Sequence, residues 1–284
     1  MKIKKEIILL TAAIILFASP VAVSAHQPRL VTGESVQVND PEISKAYYGE
    51  LIGEPHAYHI VAPADFGFYL NLLVPKNTNP KARYSAYVYN AENNNLIVKL
   101  DGETAAWKEY FEEFGRDYYY QGPELKTRLP AGNYTIVVQG NGNVGKYVLA
   151  IGDKESFSAM EIWNAVTLIP KLKANFFSSS PAGFMLSPFG AGFAAVLMIL
   201  GFVFGFALRK AIKKFRKKSS KIVKKNIGSM DRLWRASLAV LFFITGIFTW
   251  QPAAFLVAGF ILYETTASWC AIYAYLGKNT CPMS

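Results

Sequence analysis

The chain has 284 residues, 52% of them hydrophobic and 18% charged, with a formal net charge of +10. Ten Lys and Arg stand together at 209–225 with no acidic residue among them, whereas 26–183 carries 14 Lys and Arg against 17 Asp and Glu. The basic character belongs to one short segment rather than a folded face, which argues against a nucleic-acid partner, and with both cysteines (Cys270 and Cys281) far downstream of 26–183 no disulfide scaffold exists there.

Lys2, Lys4 and Lys5 precede the apolar run 7–17, and Val23-Ser24-Ala25 puts small residues at −3 and −1 of a cleavage site. Residues 1–25 thus read as a signal peptide, with the mature chain starting at His26. An uncleaved anchor is the alternative, although the apolar core is too short to span a bilayer comfortably.

From 26 to 153, short apolar segments alternate with turn residues, the pattern of an all-β exported sandwich. The predicted strands are 46–51, 57–62, 67–74, 84–90, 95–100, 124–129, 133–139 and 145–151, with turns at 93–95 and 140–145. About 150 residues suffice to bury a core without staples. Gly140, Gly142 and Gly145 also spell G-x-G-x-x-G, but a nucleotide site needs a helix next, and a strand follows. Trp107, Tyr110, Phe111 and Phe114 recur at helical spacing before Gly115, which predicts a short helix inserted in the sandwich.

Ser158 and Glu161 form a capping box that opens an amphipathic helix within the segment 154–183. Ala159, Ile162, Trp163, Val166 and Ile169 share one face until Pro170 interrupts the pattern. That face either packs on the sandwich or lies in the outer headgroup layer with Trp163 as anchor.

The apolar run 184–208 is long enough to span a membrane, and the abutting cations mark its cytoplasmic end. These are Arg209, Lys210, Lys213, Lys214, Arg216, Lys217, Lys218, Lys221, Lys224 and Lys225, and they suit anionic lipid headgroups. Gly201 and Gly205 form a small-xxx-small pattern that suits a homo-oligomer. Two further apolar runs, 233–250 and 252–275, flank Gln251 and predict a helical hairpin. The expected architecture is an all-β domain plus three transmembrane helices. It implies a multi-pass protein of the cell (inner, cytoplasmic) membrane, its N-terminal domain extracytoplasmic and its C-terminus cytoplasmic.

Several side chains are candidates for function. His26, His56 and His59 are the only imidazoles; a free N-terminal His26 with a second imidazole would suit copper, whereas surface imidazoles are the plainer reading. Trp107, Tyr118, Tyr119 and Tyr120 could stack on a glycan or peptide, or be core. Glu264 lies deep in the last apolar run, where a carboxylate must be neutral or paired; across a turn centred on Gln251, Arg235 comes within reach of it. Cys270 and Cys281 are either packed small residues or handlers of sulfur or a soft metal.

The strings Asn226-Ile227-Gly228-Ser229-Met230-Asp231-Arg232-Leu233-Trp234-Arg235 and Cys270-Ala271-Ile272-Tyr273-Ala274-Tyr275-Leu276-Gly277-Lys278-Asn279-Thr280-Cys281 resemble the YgaP-like inner-membrane domain. That family reads N-x-G-x-x-D-R-x-x-R, an apolar hairpin, then C-P-x-Y-x-x-x-G-x-N-T-C. The resemblance spans about 225–282, and Ala271 stands where the family has Pro. In some relatives the hairpin anchors a rhodanese sulfurtransferase whose nucleophilic Cys belongs to a separate soluble domain. Apolar residues rather than a basic, anion-binding loop follow Cys270, so that activity is not carried over. Residues 131–138 and 145–151 resemble the last hairpin of pre-peptidase-type β-sandwich domains, which implies an accessory binding or folding module. The expected protein is no enzyme and needs no cofactor. It is a membrane-anchored extracytoplasmic binding protein for a protein, glycan or other envelope component. The alternatives are a redox, sulfur- or metal-handling protein acting through the Cys pair, and a copper-binding exodomain using His26.

Overall fold

The computed structural model describes residues 26–215 and 225–281, and the chain divides into two compact units at Ser180 and Pro181. The expected signal peptide 1–25 and the cations Arg216, Lys217, Lys218, Lys221 and Lys224 lie outside the described residues.

The first unit is a sandwich of two sheets. Its strands are β1 (Gln27–Leu30), β2 (Ser35–Val38), β3 (Lys45–Ile52), β4 (His56–Ala62), β5 (Phe66–Pro75), β6 (Ser85–Asn90), β7 (Leu96–Leu100), β8 (Lys108–Glu112), β9 (Asp117–Leu129), β10 (Gly132–Gln139) and β11 (Val144–Ile151). Six pair in the order β1-β3-β11-β5-β9-β8 and five in the order β2-β4-β10-β6-β7. The N-terminal strands β1 and β2 join their sheets in parallel. Each has only four residues, too few for alternation to show in the sequence.

The six-stranded sheet is buried on both faces at its centre. Along β11, Tyr147, Leu149 and Ile151 face the core between the sheets, while Val148 and Ala150 join a second cluster with Leu172, Phe176 and Phe177. Successive strand residues point to opposite faces, so a strand covered twice reads as a continuous apolar run. Gly49 lies opposite Tyr147, and a Cβ there would sit 2.7 Å from its ring. The Tyr147 hydroxyl is fixed between His56 Nδ1 at 2.8 Å and the Tyr58 hydroxyl at 2.7 Å.

The short helix expected around Trp107–Phe114 is instead strand β8. It forms the sheet edge, with Tyr110 opposite Tyr119 and Phe111 opposite Tyr118. Pairing along the long partner β9 satisfies one side of its backbone, and the helical spacing of the aromatics proves coincidental. Trp107 precedes the strand, packs at the margin of the inter-sheet core and donates its indole N–H to Gly102 O at 2.7 Å.

Helix α1 (Ala159–Asn175) starts at Ser158, whose Oγ accepts the Glu161 N–H at 3.2 Å. Pro170 does not end it. Proline removes one helical donor, but burial of Leu172, Phe176 and Phe177 beyond it outweighs that loss. The buried face is Ala165, Val166, Ile169 and Leu172, and Trp163 is 51% exposed. Of the two expected placements, packing on the sandwich is the one observed.

The second unit holds a 3-10 turn at Pro181–Leu186, then α2 (Pro188–Phe215), α3 (Ser229–Thr249), α4 (Pro252–Ala267) and α5 (Ala271–Leu276). By length and apolarity α2 and α3 can cross a membrane, whereas α4 has only 16 residues, about 24 Å at 1.5 Å per residue. The expected single run 252–275 is therefore broken. Ser268 adopts left-handed geometry (φ 48°, ψ 40°), and its N–H caps the carbonyls of Glu264 and Thr265. Outward apolar side chains such as Leu200, Phe204, Leu241, Ile244 and Phe248 are exposed, as a lipid-facing surface requires.

Helix α2 packs on α4 through glycine. A Cβ on Gly201 would lie 2.0 Å from Leu256 O, one on Gly259 1.9 Å from Met198 O, and one on Gly205 2.5 Å from the Tyr263 ring. The glycines expected to join two copies are thus occupied inside one chain, because the returning α4 presents its own small face first. At the end of α2 the Arg209 guanidinium lies 5.5 Å from the Trp269 ring centroid and the Lys210 ammonium 4.3 Å from that of Phe206.

Candidate functional site

The outer face of the six-stranded sheet holds a cleft of about 280 Å³ beside α1. Its floor is Ala46 and Tyr48 of β3, Tyr69, Asn71 and Leu73 of β5, Tyr119 of β9 and Val148 of β11. Ile169, Leu172 and Phe177 form one wall and Tyr110, Glu112, Phe114, Gly115 and Asp117 the other, while His26, Lys126 and Asp153 are among the remaining lining residues.

Polar groups in and behind this lining are held away from water to different degrees, Asp117 and Asn71 buried and Glu112 half-buried. Lys173 and Asp117 are 2% and 7% exposed at their side chains and pair at 2.9 Å. The Glu112 oxygens accept the N–H groups of Phe114 at 2.7 Å and Gly115 at 2.6 Å. Burial pushes Glu112 up to about 7 against the pull of those donors, with Asp117 repelling its charge and Lys173 favouring it. Burial also raises Asp117, opposed by Lys173, and lowers His26, opposed by Glu155. Asn71 is 2% exposed, and its amide N–H reaches Pro123 O at a long 3.4 Å. The Tyr48 and Tyr119 hydroxyls meet each other at the same long 3.4 Å.

None of Glu112, Asp117 and Lys173 was singled out from the sequence. One signal existed: Lys173 continues the Val166, Ile169 spacing of the apolar face, where a cation is out of place unless paired.

The candidate aromatic face divides by strand alternation. Tyr119 points into the cleft side and is buried, while Tyr118 is exposed, 4.7 Å from the Phe111 ring. Tyr120 packs toward the inter-sheet core, where Arg83 lies over both Tyr120 (5.8 Å) and Trp107 (5.1 Å). The three histidines have separate partners: His26 Nδ1 contacts Ser44 Oγ, His56 is held by Tyr147, and His59 by Thr135 at 3.2 Å and Ser35 at 3.1 Å. Among the described residues no group of three His, Cys, Asp or Glu side chains is placed to hold a metal ion.

In the helical unit the structure does bring Arg235 and Glu264 together. Arg235 Nη1 donates to Glu264 Oε2 at 2.7 Å, its Nε to Asp231 Oδ1 at 3.2 Å, and its guanidinium lies 5.2 Å from the Tyr273 ring centroid. Glu264, 4% exposed at its side chain, also accepts the Ala271 N–H at 3.0 Å. Asn226 is fully buried and clamps Cys270 from both sides, accepting its N–H at 2.7 Å and donating to its carbonyl at 2.9 Å. Thr280 Oγ1 accepts the Gly228 N–H at 3.0 Å and donates to Asp231 at 3.2 Å. Cys270 and Cys281 are free thiols, Cys270 buried and Cys281 half-buried with its Sγ 3.2 Å from Ile227 O.

Residues 223–284 match the family described as the inner membrane protein YgaP-like, transmembrane domain, so the C-terminal unit of this membrane protein contains such a domain. Among solved structures, the chain is similar to the pre-peptidase C-terminal domain of a Bacillus anthracis collagenase. That likeness has 11% identity and a TM-score of 0.27, and it covers 43% of this chain and 96% of that one. The chain is also similar to a β-glucosidase from Kluyveromyces marxianus at 19% identity and a TM-score of 0.23, over 40% of this chain and 12% of that one. No curated protein matches the chain.

Two predictions follow the geometry. The folded Glu112 carboxyl keeps its proton to higher pH than the unfolded one, so its contribution to stability is full below its ordinary value of 4.5 and is lost as pH rises to about 7. Urea unfolding of residues 26–180 between those limits should show stability falling with pH, and Glu112→Gln should flatten the fall; an unchanged slope would refute the assignment. In the helical unit, Arg235→Leu strands the buried Glu264 and Glu264→Leu removes the main partner of Arg235, whereas the double variant leaves only the more exposed Asp231 without its guanidinium. Each single change should lower the yield of folded protein in membranes more than the double change does, and simple additivity would show that the pair is not coupled.

Proposed function

We propose that the chain is a membrane-anchored binding protein, without a catalytic step of its own, whose extracytoplasmic sandwich takes a ligand in the cleft beside α1. The observation that carries this reading is the convergence of Asn71, Tyr48, Tyr119 and Glu112 on a concave cleft lined by aromatic rings. Buried polar groups normally find partners, and a concave, largely apolar site with a few convergent polar groups is the usual form of a ligand site. Nothing among the described residues donates to Asn71 Oδ1, and the buried Tyr119 hydroxyl has only its long contact with Tyr48. A ligand from the envelope, whether saccharide, peptide or small solute, would complete these bonds.

The YgaP-like domain and the apolar helices support anchoring in a membrane. The cations that follow the first apolar run support an orientation with 209–225 and the C-terminus in the cytoplasm, the sandwich outside and the cations against anionic lipid.

For the cleft, ligands from a panel of envelope-derived saccharides, peptides and amines that raise the melting temperature of the full chain should not raise that of Ala46→Phe, which fills the floor. A shift that persists in the variant, or a panel without effect, would refute the cleft as the site. For orientation, a membrane-impermeant maleimide should label Cys281 only after cells are lysed; labelling in intact cells would reverse the topology.

A further inference from the structure

The charges in the cleft indicate what its occupant carries. Three carboxylates contribute to the lining, and two are matched: Asp117 by Lys173 at 2.9 Å and Asp153 by Lys126 at 2.5 Å. Glu112 is the exception. Among the described residues it forms no salt bridge, and its oxygens face the neutral N–H groups of Phe114 and Gly115. The same wall and floor present aromatic rings, those of Tyr48, Tyr110, Phe114, Tyr119 and Phe177.

Resting on the cleft reading above, we propose that this site binds an organic cation, an ammonium group seated against Glu112 and the surrounding rings. An aromatic face attracts a cation through its quadrupole, most strongly where water is excluded. One positive charge balances the one unmatched carboxylate, whereas a neutral polyol leaves it unbalanced and an anion adds to the repulsion. A metal ion such as calcium requires about six oxygen ligands, and the described residues offer no such group.

The protonation of Glu112 gives the site a pH dependence. The charged and polar groups around it are Asp117, which opposes its ionisation, Lys173, which favours it, and the hydroxyls of Tyr48, Tyr110 and Tyr119. Burial dominates, so the carboxyl is half-protonated near pH 7. A bound cation favours the ionised form, and affinity must therefore rise with pH through that range.

The test uses the full chain in a maltoside detergent with two probes of equal shape, choline and its uncharged isostere 3,3-dimethylbutan-1-ol, titrated calorimetrically. At pH 8 choline should bind at least about tenfold more tightly than the isostere, and lowering the pH to 5.5 should weaken choline by about tenfold or more while leaving the isostere unchanged. Glu112→Gln, which keeps an acceptor for a backbone N–H, should abolish the preference without removing isostere binding. The pH series on the unaltered chain tests the idea even if that variant folds poorly. Equal binding of the two probes would overturn the cation assignment and leave the cleft standing as a site. A choline preference that survives Glu112→Gln or ignores pH would also overturn it, as would failure of choline to bind. The cleft reading itself falls separately, if ligands bind Ala46→Phe as they bind the native chain or if no ligand of the panel shifts the melting temperature.

Discussion

Lys173 and Asp117 surrender nearly all contact with water, and each is tolerated only because the other is there. The pair joins the last turn of α1 to the start of β9, and so fixes where the helix lies on the sheet. Everything on that face follows from it. Leu172, Phe176 and Phe177 close over Tyr48, Tyr119 and Val148, the sheet centre becomes two-sided, and the space left beside the helix is the cleft. An ion pair of this kind contributes little net stability, because desolvation of both partners offsets much of their attraction. Its consequence is positional: a helix shifted along the sheet would leave two buried charges unmatched.

The helical unit meets the same constraint in a more apolar setting. After Ala267 the chain leaves helical geometry for three residues, which exposes backbone donors where water is scarce. Glu264 and Asn226 supply the missing acceptors, for Ala271 and Cys270 respectively. Arg235 then balances Glu264 and also donates to Asp231, which in turn accepts from Thr280. The residues that identify the YgaP-like segment thus act as caps for an irregular connection. Gly228 is required because a Cβ would come within 2.3 Å of Thr280 O. Ala271 is where this chain departs from the family's Pro, and its N–H, which Pro lacks, is the donor to Glu264.

The two units therefore use buried charge differently. In the helical unit the carboxylate of Glu264 is matched by a guanidinium, a backbone donor completes it, and the network is closed. In the cleft Glu112 receives donors but no cation, and the polar groups near it are only partly satisfied. Closed networks hold a fold in place, and an open one in a concave, aromatic-lined site leaves interactions for something else to complete.

By itself, the sequence determined whatever depends on neighbouring residues or on simple periodicity. Alternation located most of the strands, Ser158 and Glu161 the start of α1, the apolar runs the helices of the second unit, and the hairpin register the meeting of Arg235 with Glu264. Tertiary structure decided where those local signals were too short or were outweighed. Strands β1 and β2 are four residues each and acquire meaning only as parallel partners of β3 and β4. The aromatics of β8 have helical spacing, yet the edge of β9 offers hydrogen bonds that a short exposed helix lacks. Pro170 signals a helix end, but the apolar surface waiting beyond it carries the helix on to Asn175. Gly201 and Gly205 announce a close helix contact without saying with what, and only the fold supplies α4. The cleft belongs mostly to this second category: Glu112 and Asp117 are ordinary surface residues in the sequence and Lys173 is only a misplaced cation on an apolar face, and it takes the covering of a sheet's outer face by a distant helix to bury Asp117 and Lys173 and to half-bury Glu112.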